Sequence, residues 1–151
     1  MLDNEHTINE LNDLILVMMD GEEGFYKSAE ITTDPKIKSF LYHRSEETTD
    51  NILELQSLVK DLGGAPAAAT SIGGYLYQKW IDLKIVILSN DRRAILEELF
   101  KEGERAESAY LDAIEKDLSP QAVLIVLRHL SHIDNNQKQI RELMNALDKD
   151  L

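Results

Sequence analysis

The stretch GAPAAATSIGGYLYQKWIDLKIVILS, from Gly64 to Ser89, decides the fold. It opens on Ala65-Pro66-Ala67 and then sets Ile72, Leu76, Trp80, Leu83 and Ile87 at helical spacing. A structureless connection of this length is unusual inside a domain. The spacing therefore predicts a helix of about four turns packed across its neighbours, with Trp80 as its anchor. Such a connection lets the next long helix start at the same end as the one before it, as in bundles with one crossover.

Working outward, the helix boundaries are marked by residues with a physical reason to be there. Gly63-Gly64 stops the helix before the stretch, and Asn90 or Asp91 caps the helix after it. Asp34-Pro35 and Ser119-Pro120 each put a side-chain acceptor at the N-cap and a proline at the first helical position. Thr7-x-x-Glu10 reads as a capping box that opens the first helix. These marks predict a single domain over 1–151, all-α, with helices at about 8–32, 35–62, 72–88, 91–117 and 120–148. The four long ones form a bundle of two helical hairpins, with the short helix in the connection between them.

The apolar stripes agree. Leu11, Ile15, Met18, Phe25 and Ala29 line one face of the first helix, and Glu22 fills the vacant place. In the second helix, apolar residues hold both ends while Tyr42 to Asn51 is almost wholly polar. The third long helix carries Leu96, Leu99, Phe100, Ala106, Tyr110, Ala113 and Ile114. The last runs Val126, Leu130, Ile133, Ile140, Met144 and Leu147, with Gln137 in the gap. Asp20-Gly21-Glu22 also recurs as Glu102-Gly103-Glu104, each followed by a proline-started helix, an echo that either duplication or chance accounts for.

Composition narrows the function classes. The 151 residues carry a net charge of -12, with a pI near 4.7 and a mean hydropathy of -0.30. Such a field repels nucleic acid and anionic membrane, so neither is an expected partner. With no cysteine, disulfides and thiolate chemistry are absent. The acidic start Leu2-Asp3-Asn4-Glu5 has no signal-peptide character, and no apolar run approaches a membrane span; a cytoplasmic location is expected. No nucleophile motif or phosphate-cradling glycine loop is present, and no catalytic residue is assigned.

The carboxylates on the helix stripes are the informative residues. Glu22 lies on an apolar face between Gly21 and Gly24, where small residues let a neighbouring helix come close. At the same depth stand Glu47 and Asp50, with Arg44 one turn away, then Glu104 and Glu107, and finally His132, Asn135 and Gln137. Carboxylates from several helices with a histidine are what a di-iron or di-manganese centre uses, which makes Glu22, Glu47, Asp50, Glu104, Glu107 and His132 candidate ligands for iron or manganese. Such a centre normally takes Glu-x-x-His from each of two helices, and the chain has none. A buried salt-bridge network around Arg44, or a hydrogen-bonded layer that sets helix register, needs the same residue types. Leu130 and Ile133 define the core side of the last helix and place His129 toward solvent.

Leu11-Asn12-Asp13-Leu14-Ile15, Asp20-Gly21-Glu22-x-Gly24-Phe25, Leu62-Gly63-Gly64-x-Pro66, Trp80-x-Asp82-Leu83-Lys84, Ile95-Leu96-Glu97-Glu98, and Gly103-Glu104 followed by Tyr110 resemble an uncharacterised bacterial family of ferritin-like four-helix bundles, of a stress-associated type. The resemblance implies the ferritin-like bundle with its crossover helix, and matches that family's acidic positions best at Glu22 and Glu104. Gln137 stands where a histidine ligand is wanted. The expectation is a non-catalytic bundle that acts by association with itself or a partner, most simply as a dimer, with Ile8, Val17, Ile31 and Ile125 as the apolar face. A di-metal protein with a degenerate carboxylate site is the alternative.

Overall fold

The computed structural model describes residues 4–68 and 73–149, with side chains given outside 73–80. Five helices follow one another: α1 (Asn4–Ile31), α2 (Pro35–Asp61), α3 (Gly73–Leu88), α4 (Arg92–Ile114) and α5 (Pro120–Lys149). No strand occurs among the described residues. Helix α3 stands where Gly64 to Ser89 called for one, with Leu83 and Ile87 buried. The expectations for Ile72 and for the side chains of Leu76 and Trp80 lie outside the described residues.

Two of the four predicted N-caps are in place. The Asp34 carboxylate accepts from the Lys36 and Ile37 amides at 2.9 and 3.1 Å, and Asp91 accepts from the Ala94 amide at 3.1 Å. Gly63 takes φ 91°, and the Gly63 and Gly64 amides donate back to Lys60 and Val59, closing α2 with the paired bonds of a Schellman motif. The other two caps differ from expectation. Thr7 lies inside a helix already running from Asn4, and its hydroxyl accepts from the Ser119 amide at 3.2 Å. It therefore ties α1 to the start of α5. The buried Ser119 hydroxyl has no partner among the described residues and caps nothing.

Helix α1 packs along α2, and α4 along α5, with α1 and α3 both reaching α4. Asp34, the cap of α2, pairs with Arg92, the first residue of α4, at 2.9 Å, so these two helices begin side by side. Contacts of Glu47 with Asn136 and of Glu54 with His129 show that α2 and α5 run antiparallel.

The core is divided. One apolar cluster gathers Leu11, Ile15, Leu55, Val59, Tyr110, Val126 and Ile133; the other gathers Phe25, Ala29, Leu41, Leu83, Leu96, Leu99 and Ile140. Between them, buried Arg44, Ser45, Thr48, Asn51, Asn136 and Gln137 make a polar belt at mid-height. The interruptions at Glu22, Tyr42 to Asn51 and Gln137 mark where the two clusters part. Ile8, Val17 and Ile125 pack against the first cluster and Ile31 against the second, each remaining partly exposed. Among the described residues, the large apolar side chains most open to solvent are Leu124 (71%), Ile85 (64%), Leu88 (61%) and Leu53 (58%).

Candidate functional site: the polar belt

Hydrophobic flanks hold the belt in place, and Ser45, Arg44 and Asn136 meet the half-buried carboxylates Glu22 and Glu47 beside it. Glu22 is half-buried on α1 and accepts a hydrogen bond from the Ser45 hydroxyl of α2 at 3.1 Å. Glu47 accepts from the Asn136 amide of α5 at 2.7 Å, with Arg44 at 3.5 Å and His43 at 3.7 Å. Arg44 is 5% exposed, and its guanidinium lies 4.9 Å from the Phe25 ring centre. Burial pulls the Arg44 proton affinity below its ordinary value, and Glu47 opposes that shift.

The remaining candidate ligands fall elsewhere. Asp50 and Glu104 are exposed. The Asp134 carboxyl beside Glu107, through hydrogen bonding first and then its charge, raises Glu107 above the usual carboxylate range, with burial adding to the effect. Glu104, Glu107, Asp134 and Gln137 line a cleft of about 220 Å³ on the α4–α5 side. His132 is half-buried, and its Nδ1 has no hydrogen-bond partner among the described residues. The six candidates are not gathered into one group: among the described residues, no three His, Asp or Glu side chains are placed to hold an ion together. A donor hydroxyl faces Glu22 and a guanidinium faces Glu47, a poor fit to two metal ions at mid-height.

Gln137 donates to the Phe100 carbonyl at 2.9 Å, and Gly103 is what gives it room. A methyl group at Gly103 would overlap the Gln137 carboxamide. The close approach expected around Glu22 is not found there, since a Cβ on Gly21 would meet only Phe25, at 3.6 Å, and one on Gly24 nothing within 4 Å. The tight contact belongs to Gly103, the second half of the sequence echo.

One polar chain was not anticipated. His129 is fully buried, contrary to the solvent position expected for it. Its Nδ1 accepts from the Tyr110 hydroxyl at 2.9 Å, and its Nε2–H donates to Glu54 at 2.6 Å, which also pairs with Arg128. Burial lowers the His129 proton affinity, against the pull of Glu54, and raises that of Tyr110. For Glu54, burial alone would raise the carboxyl, but hydrogen bonds from Arg128 and His129 outweigh it and hold it below the ordinary range. The chain joins α4, α5 and α2. A signal for it existed: Val126, His129, Ile133, Asn136 and Ile140 follow a 3-4-3-4 spacing that puts all five on one face.

A family model described as a domain of unknown function (DUF2383) matches residues 6–116, which takes in α1 to α4 and leaves α5 outside. No curated protein matches the chain.

Proposed function

We propose that this chain, which belongs to the DUF2383 family, is a non-catalytic helical bundle that works by pairing with a second copy of itself. The reading takes the helices as a ferritin-like arrangement of two hairpins, α1–α2 and α4–α5, with α3 in the crossover. The shared starting end of α2 and α4 supports that arrangement. A stress-associated role rests on the sequence resemblance alone.

The observation that carries the reading is the exposure of Leu53 on α2 and Leu124 on α5, the two helices that the Glu54–Arg128 ion pair joins. Leu53 adjoins Glu54, and Leu124 stands one turn before Arg128, so both leucines flank one ion pair. A patch with one acid and one base is self-complementary across a two-fold axis. It also brings little like charge together in a chain of net charge -12. Sedimentation velocity across micromolar concentrations tests the reading. Wild type is expected to sediment as a dimer and Leu124→Glu as a monomer of unchanged helicity; a wild-type monomer throughout ends the proposal.

A second reading has one observation in its favour. Glu104, Glu107 and Asp134 line one cleft, and a divalent cation there would offset the repulsion among their carboxylates, which suits iron or manganese on the α4–α5 side. The association reading expects less than about a tenth of an equivalent of either metal after reconstitution, since a carboxylate-rich centre retains divalent ions. Stoichiometric metal that is lost in Glu107→Gln would favour the second reading.

A further inference from the structure

Arg44 borders a cavity of about 40 Å³ lined by α1, α2 and α4. Its walls are Val17, Met18, Phe25 and Ala106, and Arg44 and Thr48 supply buried polar groups. A guanidinium has five N–H donors in a planar fork. Here Phe25 covers a face of the group and, among the described residues, one side-chain acceptor meets it: Glu47, through Nη1, at 3.5 Å. Charge-assisted bonds of this kind run to about 2.7–2.9 Å. Glu47 keeps its short bond, 2.7 Å, for Asn136. Arg44 is thus a buried cation with a long contact to its acidic partner, and it lines the cavity.

The charged groups lining that space are Arg44 and Arg105 against Asp20 and Glu102, two of each sign. Arg105 and Glu102 lie 3.6 Å apart, and burial raises the proton affinity of Asp20. The cavity does not carry the acidity of the outer surface. A water needs about 10–15 Å³ measured in this way, so the space holds about three, the size of an anion of three or four heavy atoms.

We propose that the Arg44 cavity binds a small monocarboxylate of the size of acetate, its carboxylate on the guanidinium and its methyl group against Val17, Met18 and Phe25. A planar fork matches a carboxylate in two parallel bonds, which a spherical anion cannot reproduce. The proposal stands apart from the association reading, because it rests on side chains lining a cavity among α1, α2 and α4, and that reading rests on the exposed Leu53 and Leu124.

The test is an NMR titration of the full chain that follows the Arg44 Nε–H resonance. Sodium acetate and, separately, sodium chloride are added in sodium sulfate at fixed ionic strength. Acetate is expected to give a saturable shift with half-saturation in the millimolar range, and chloride none. Gly21 also lines the cavity, in a helix that favours larger side chains, so Gly21→Leu fills the space and is expected to weaken acetate binding at least about tenfold. Thr48→Val is the second variant, with a several-fold weakening expected. A shift that stays linear to about 100 mM acetate, an equal response to chloride, or an unchanged curve in both variants would overturn the proposal and leave the cavity to water.

Discussion

At the scale of single residues, the most consequential group is His129. Both ring nitrogens are committed, one accepting from Tyr110 and the other donating to Glu54, which fixes the neutral Nε2–H tautomer. Tyr110→Phe removes the donor and leaves a buried acceptor unmatched, so a loss of about 1–3 kcal/mol is expected in urea unfolding at neutral pH. The pH dependence follows from the direction of the shift. The folded-state value of His129 lies below its unfolded value, so in between the unfolded chain binds more protons. This contribution to stability is complete above about pH 6.5, the ordinary histidine value, and declines as the pH falls below it. Glu54, also held below its ordinary value, adds a second loss at lower pH. Unfolding curves from pH 7.5 to 5 are expected to show the decline, and His129→Gln to flatten it; equal slopes would refute the assignment to His129.

At the scale of helices, legibility depended on how local the cause was. Asp34 and Asp91 cap their helices because an acceptor two or three residues before an amide needs nothing else. The Thr7 box carried the same local signature, yet the hydroxyl serves Ser119, which only the packing of α1 against the α4–α5 turn brings near. The position of His129 has a related cause: Leu130 and Ile133 alone point to a narrow core side, whereas α5 is buried over a wider arc that includes Val126, His129 and Asn136. Gly103 is the sharpest case of a helix–helix contact unreadable from one helix. Alanine there gains about 1 kcal/mol of helix propensity but forces Gln137 off the Phe100 carbonyl, and overpacking commonly costs about 1–3 kcal/mol. Gly103→Ala is expected to lower stability by about 1 kcal/mol, and to raise it when Gln137→Ala accompanies it. Thermal unfolding of the single and double variants decides this; a stabilised single variant would mean that Gln137 has another place to go.

For the molecule as a whole, the polar belt explains both the shape of the core and the restraint on function. Apolar packing holds α1 to α2 and α4 to α5 on either side of mid-height. Across α2 and α5, Glu47 meets Asn136, and Glu54 meets Arg128 and His129, so polar bonds fix the register there. The sequence made the existence of the belt plain, because acids and amides replaced apolar residues at matching depths. It did not show how they pair, because pairing depends on rotation about each helix axis.

The claim that the belt joins the two halves through its own side chains is tested most directly by a double-mutant cycle on Glu47→Ala and Asn136→Ala, read by urea unfolding at pH 7.5. A coupling energy of about 1–3 kcal/mol is predicted, as for a hydrogen bond to a charged group. Additive losses, with no coupling across α2 and α5, would contradict it.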